Sequence, residues 1–283
     1  METALNEITL VLFTTIAPAG LVGYAVMALY TVAVRDRARA EAASRYLVVP
    51  LVLVITGLIA SATHLGTPAN ALYVLSGAGR SPLANEVVAV VAFLVAGGAW
   101  WMVSFRDDVS ERLRRVAVTV VLIAAAVALY FISVAYSIPW VPTWALPTVP
   151  VTLWLGALAS GVPVGLFGLA AAGQAPGARF AALALLAGAA ATVGNAVVLG
   201  IQWADLASIE TTLVAAPDLV PWTPAVIAAF AVLATAALGA CAWAEQHRGP
   251  HRTFVEGSCV LAVLVACFLV RFTFYAMRMT AGV

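Results

Sequence analysis

One stretch of the chain gathers residues able to do proton chemistry. Between two apolar runs, residues 61–87 read SATHLGTPANALYVLSGAGRSPLANEV, with His64 where the first run ends and Glu86 where the second begins. A neutral imidazole accepts a hydrogen bond through its free ring nitrogen and changes charge near neutral pH. A carboxylate nearby can carry a proton onward. Such groups are scarce, since only 10% of the residues are charged and there are three histidines. The plain structural alternatives are a helix-end histidine bonding a loop carbonyl and an acidic residue favoured by a helix N-terminus, with Asn85 as its cap.

The elements that hold these residues follow from composition. With 64% hydrophobic residues among 283, the chain has too little polar surface to cover a soluble globule. A helix needs about 20 mainly apolar residues to cross a bilayer. Windows of that kind begin near Thr9, Tyr46, Asn85, Arg115, Val149, Arg179, Trp222 and Thr253, which gives eight spans. The expectation is an all-α integral membrane protein, a bundle of eight transmembrane helices forming one domain over residues 1–283. The first span follows Glu2 and Glu7 rather than a basic leader, so it reads as a retained helix and not a signal peptide.

Of the 14 basic residues, all arginine, 11 fall in the loops after spans one, three, five and seven, from Arg35 to Arg252. Only Arg80, Arg271 and Arg278 fall at the other end. The positive-inside rule makes the odd-numbered loops cytoplasmic and both termini extracytoplasmic. His64 and Glu86 then stand at the outer rim of the membrane.

Other chemistries are disfavoured by counting. Cys241, Cys259 and Cys267 lie inside predicted spans without the CxxC spacing of a cluster or structural zinc, and read as small core residues. A membrane b-type haem takes two histidines on facing helices, whereas His247 and His251 sit together in the EQHRGPHR turn. No haem, iron–sulfur cluster, molybdenum or other metal is expected in this chain, and no nucleic-acid partner. Small residues recur at four-residue spacing, as Gly156 with Ser160 and Gly161 with Gly165, which lets helices approach closely in lipid. Gly57, Ser61 and His64 share a stripe, and Pro18 and Pro163 are expected to kink their helices.

Polar residues inside spans narrow the site. Thr192, Asn195 and Gln202 lie on nearly one face of span six, and Arg271, Tyr275 and Arg278 follow one another at i, i+4, i+7 in span eight. Both stripes lean to the outer half. Taken singly, each is open to a structural reading, a snorkelling side chain or an interhelical bond. Together with His64, Arg80 and Glu86 they point to a shared outer-side site. Trp140, Trp144, Trp203 and Trp222 fall near the same boundary and read as an interfacial belt, with Trp144 also placed to wall the site.

The run HLGTP at 64–68, followed by SPLANE ending at Glu86, resembles the second outer-loop region of the membrane anchor subunits of dimethyl sulfoxide reductase type molybdoenzymes. VPTW at 141–144, IQWADLASIE at 201–210 and RFTFYAMRMTAGV at the C-terminus resemble further segments of that family in the same order. The resemblance implies a prokaryotic cytoplasmic-membrane subunit that binds and oxidises menaquinol without haem. It also implies two partners on the extracytoplasmic face, a ferredoxin-like iron–sulfur subunit that receives the electrons and a molybdopterin catalytic subunit that uses them. The family's principal quinol-site histidine maps onto His64 and the glutamate of its NE motif onto Glu86. Quinol oxidation releases two electrons and two protons, so a hydrogen-bond acceptor and a proton exit are the groups it needs.

The expected quinol site is therefore His64 and Glu86 as catalytic groups, with Arg80, Asn85, Trp144, Arg271 and Tyr275 around them. Arg80 and Arg271 are open to a second role, pairing with acidic residues of a docked subunit. Two other functions fit an eight-span chain. A polysulfide-reductase-type anchor shares the quinone chemistry but is not expected to carry the HLG-to-NE pair, and a secondary transporter is expected to show repeats and midplane polar sites that are not visible here.

Overall fold

A computed structural model describes residues 1–64, 73–74, 76–106, 108–211 and 214–279. The helices in chain order are α1 (Glu2–Asn6), α2 (Ile8–Ala33), α3 (Arg37–Arg45), α4 (Val48–Thr63), α5 (Pro82–Val103), α6 (Glu111–Ala135), α7 (Thr148–Ala171), α8 (Ala178–Leu206), α9 (Ala216–Leu219), α10 (Thr223–His247) and α11 (Arg252–Ala276). Eight spans long and apolar enough to cross a membrane lie among the described residues, α3 and α4 together making the second. Seven of the eight starts fall within four residues of the expected ones, and the second begins at Arg37 rather than Tyr46 because the polar α3 runs ahead of its apolar part. The Leu65–Pro68 part of the HLGTP run and the last four residues lie outside the described set.

Packing divides the spans into two classes. The apolar stretches of α2 and α7 are 78% and 72% buried, against 22–39% for the other six, so these two helices form the axis of the bundle. Small residues make that contact possible. A Cβ added at Gly161 would lie 2.3 Å from Val22 Cβ, and one at Gly23 would lie 2.4 Å from Val164 Cγ1. Without a hydrophobic force between helices in lipid, such close van der Waals contact is what holds them. Gly57 approaches Ala17 in the same way and seats α4 against α2. Both Pro18 and Pro163 lie within unbroken helices.

One side of the axis packs α4, α5 and α6, and the other packs α8, α10 and α11. All three cysteines are free and buried in the second group.

The arginine-rich end is held by its own hydrogen bonds. Arg252 donates through Nη2 to Glu245 Oε1 at 2.6 Å, through Nε to Glu256 Oε1 at 2.9 Å and through Nη1 to the Gln174 carbonyl at 2.7 Å. Arg39 reaches Gln174 Oε1 and the Ala175 carbonyl, and Arg248 reaches the Pro176 carbonyl. The short loop between α7 and α8 is thereby clamped from three helices. Asp36, whose carboxylate accepts from Ala38 N and Arg39 N, caps the start of α3, the standard role of an aspartate at that position. In the loop between α5 and α6, hydrogen bonding and charge from Arg106 hold the exposed Asp108 carboxyl below the usual carboxylate range. His247 and His251 are both exposed at this end, His247 with Nδ1 2.9 Å from the Trp243 carbonyl.

Candidate functional site

The opposite end carries the start of α2 and the end of α11, which are tied to each other. Glu7, between α1 and α2, lies with Oε1 3.3 Å from Arg278 Nη1 just beyond α11. Its other oxygen lies 3.2 Å from His64 Nε2, an ion-pair distance rather than an aligned hydrogen bond. His64 follows the last turn of α4 and is half-exposed, its side chain at 40%. A triad of imidazole, carboxylate and guanidinium thus closes this corner, with Glu7 the most enclosed member at 16%. Arg278 also sits 5.8 Å over the Trp144 ring, a cation–π distance.

Trp144 begins a buried aromatic layer. It stacks on Phe274 at 4.8 Å, meets Tyr275 edge-on at 5.5 Å and Tyr136 at 6.5 Å, and donates its indole N–H to the Phe274 carbonyl at 3.0 Å. It is therefore a wall of the interior, whereas Trp140 is largely exposed. Beyond it lies a polar core. Glu86, in the first turns of α5, is fully buried, and neither of its carboxyl oxygens has a hydrogen-bond partner among the described residues. Tyr136 and Tyr275 are within its electrostatic reach and within that of Arg271. Neither tyrosine hydroxyl makes a hydrogen bond of good geometry.

Arg271 is buried on the second-to-last turn of α11, where it makes no ion pair among the described residues and touches the Phe274 ring face at 5.5 Å. Two narrow crevices meet at its side chain. One runs between α8, α10 and α11 past Gln202 and Thr223, and has a cavity volume of about 20 Å³. The other runs toward Thr14, Ser160 and Asn195. Asn195 is buried with its Oδ1 unpartnered, and Gln202 is buried rather than snorkelling. The span-six stripe accordingly faces inward, as does the Arg271 and Tyr275 part of the span-eight stripe.

The expected site residues thus fall into three groups. Trp144, Arg271 and Tyr275 come together in one buried cluster, and the buried Glu86 lies within electrostatic reach of its tyrosines. His64 stands at its edge and reaches it through Glu7, Arg278 and Trp144; no direct contact between His64 and Glu86 is found among the described residues. Arg80 and Asn85 are engaged locally. Arg80 is exposed and donates to the Ser76 carbonyl at 3.0 Å, and Asn85 accepts from Gly79 N at 2.6 Å, pinning the turn that leads into α5. At Gly79, φ is +78°, a conformation glycine adopts without strain. Glu7 and Tyr136 were not foreseen. The signal for Glu7 was available, as an acid at the mouth of the first apolar run; for Tyr136 there was none beyond its place at a helix end.

Comparison with known proteins follows the same lines. A sequence model of the family described as "DMSO reductase anchor subunit (DmsC)" matches residues 1–277. The protein is 31% identical over 290 residues to the C chain of the anaerobic dimethyl sulfoxide reductase of Escherichia coli (strain K12), covering 100% of this sequence and 98% of that protein. It is 30% identical over 233 residues to the YnfH chain of an E. coli anaerobic dimethyl sulfoxide reductase, covering 80% and 78% of the two. The corresponding C chain from Haemophilus influenzae is 28% identical over about half of each protein, 51% and 52%.

Proposed function

The chain belongs to the DMSO reductase anchor subunit family, and on that footing we propose that it oxidises menaquinol at the end of the bundle carrying the start of α2 and the end of α11. Its place in a DMSO-reductase-like complex is that of the multi-pass membrane anchor. In our reading that end is extracytoplasmic, and the electrons pass there to a docked iron–sulfur subunit that feeds a molybdopterin subunit. The observation that carries the reading is Glu86, a buried carboxyl whose oxygens have no partner among the described residues. Buried polar groups are ordinarily partnered, and one that is not needs a reason. A substrate hydroxyl that comes and goes supplies it.

The residues divide the work by chemistry. Menaquinol loses two electrons to the partner cluster and two protons to the protein. With Nε2 facing the Glu7 carboxylate at ion-pair distance, His64 presents Nδ1 to one quinol hydroxyl. Glu86 takes the second proton, with Tyr136 and Tyr275 beside it as the exit. Arg271, lacking a carboxylate partner, supplies positive charge where negative charge develops on the ring oxygen. Trp144 and Tyr275 wall the ring. The crevices at Arg271 have room for about one water, so a ring enters only as side chains part.

The test uses the assembled complex. His64→Leu should cut menaquinol-driven turnover about 100-fold or more, while a reduced viologen, which feeds the catalytic subunit directly, still supports full activity. Glu7→Gln should give an intermediate loss of about tenfold, because the imidazole stays but loses the group that orients it. Wild-type menaquinol turnover in His64→Leu would overturn the assignment.

A further inference from the structure

At the arginine-rich end, far from this site, a cleft opens between the last turn of α2 and the first turn of α8. Tyr30, Arg39, Gly177, Arg179 and Leu183 are among the residues that line it, and its volume is about 550 Å³. Three features there suit one kind of ligand.

The first is the start of α8. Gly177 is its N-cap and offers no side-chain acceptor, so the N–H groups of Ala178, Arg179 and Phe180 have none among the described residues. Open first-turn amides with the helix dipole behind them attract anions. The second is charge. Arg179 is exposed, with no ion pair or hydrogen bond among the described residues, and Arg39, which uses Nε and Nη2 on Gln174 and Ala175, also brings its charge within reach of Tyr30. The nearest acid, Asp36, is occupied in capping α3. The third is a buried hydroxyl beside the Arg39 guanidinium. Tyr30 is 2% exposed, packs edge-on against Phe180 at 5.6 Å, and has a buried hydroxyl that makes no hydrogen bond of good geometry. A ligand oxygen in the cleft would supply one.

The surroundings identify the source of the anion. The cleft lies where apolar spans end, at headgroup level. One turn deeper on α8, Leu183 and Leu186 are 60% and 65% exposed, an apolar track running from the cleft toward the bilayer interior. We propose that the cleft binds the phosphate of an anionic phospholipid. The α8 amides and the Arg39 and Arg179 guanidiniums hold the phosphate oxygens, the Tyr30 hydroxyl donates to one of them, and an acyl chain follows Leu183 and Leu186.

The experiment is native mass spectrometry of the full-length protein in detergent micelles, titrated with phosphatidylglycerol, phosphatidylcholine or glycerol 3-phosphate. Phosphatidylglycerol should be retained in preference to phosphatidylcholine, and glycerol 3-phosphate at the same concentration should neither bind nor displace it. Arg179→Glu should lower phosphatidylglycerol retention about 25-fold, since one near-surface arginine changes binding about fivefold and reversal counts roughly twice. Tyr30→Phe should lower it by a smaller factor, and Arg112→Glu, an exposed arginine of the same end outside the cleft, should leave it unchanged. Equal retention of phosphatidylcholine, or an equal loss in Arg112→Glu, would overturn the proposal as non-specific adsorption. Glycerol 3-phosphate displacing the lipid would overturn it in favour of a soluble phosphate site.

Discussion

Replacing Glu86 by methionine separates the two roles a buried carboxyl can have. If Glu86 held the fold together, its oxygens would be bonded in the resting protein; both are buried and have no partner among the described residues. An unmet buried acceptor costs about 1–3 kcal/mol, and methionine has a similar length, no such atoms and a side chain that adapts to irregular gaps. Two unmet atoms would suggest a gain of about 2–6 kcal/mol, but polar groups of a chain unfolded within lipid also find partners, which shrinks the difference to about 1–2 kcal/mol. The variant should therefore be more stable than the wild type. It should also lose menaquinol-driven turnover about 100-fold or more, the usual contribution of a positioned general base. Unfolding in mixed micelles with increasing dodecyl sulfate, followed through the fluorescence of the 8 tryptophans, reads the first quantity, and quinol-driven reduction by the assembled complex reads the second. A methionine variant less stable than the wild type, or one that turns over menaquinol normally, would refute the reasoning, because Glu86 would then be structural or idle.

Two further outcomes follow from packing and charge. Arg252→Met strands the buried carboxyls of Glu245 and Glu256 and frees the Gln174 carbonyl, so it should cost about 3–5 kcal/mol in the same unfolding assay, part of which returns when Glu256→Gln is added. Gly161→Ala should destabilise by about 1–3 kcal/mol because its Cβ meets Val22 at 2.3 Å, while Gly98→Ala, which meets nothing within 4 Å, should be neutral or stabilise by less than about 1 kcal/mol.

The spans were legible because each must carry about 20 apolar residues whatever it packs against. The helix Arg37–Arg45 was not, since a polar segment beside the membrane gives no hydropathy signal; Asp36 followed by Arg-Ala repeats was the available cue. The α7 glycines announced a close contact, but periodicity marks a face and not its partner, so the match of Gly161 to Val22 needed coordinates. Rarity picked out His64 and Glu86. It could not supply Glu7 or Tyr136, which become part of the site only through pairings across distant helices. Asn85 and Arg80 show the converse. Their type and position suit a ligand site, and the fold adds to each a short-range bond, to Gly79 and Ser76, that spacing alone does not reveal.

The two ends of the bundle treat buried charge in opposite ways, and that contrast supports the location of the site. At the arginine-rich end, Arg252 has its donors matched by Glu245, Glu256 and the Gln174 carbonyl. At the other end, the Glu86 carboxyl and the Arg271 guanidinium are both buried and neither has an ion-pair partner among the described residues, while Tyr136 and Tyr275 lie within electrostatic reach of both. A direct ion pair would be the cheaper arrangement if stability were the sole requirement, because an uncompensated buried charge costs more than a matched pair. With Tyr136 and Tyr275 in reach of both, the interior offers an acceptor in one place and a positive field in another. That is the arrangement a reaction needs when it sheds a proton and passes through a more negative oxygen.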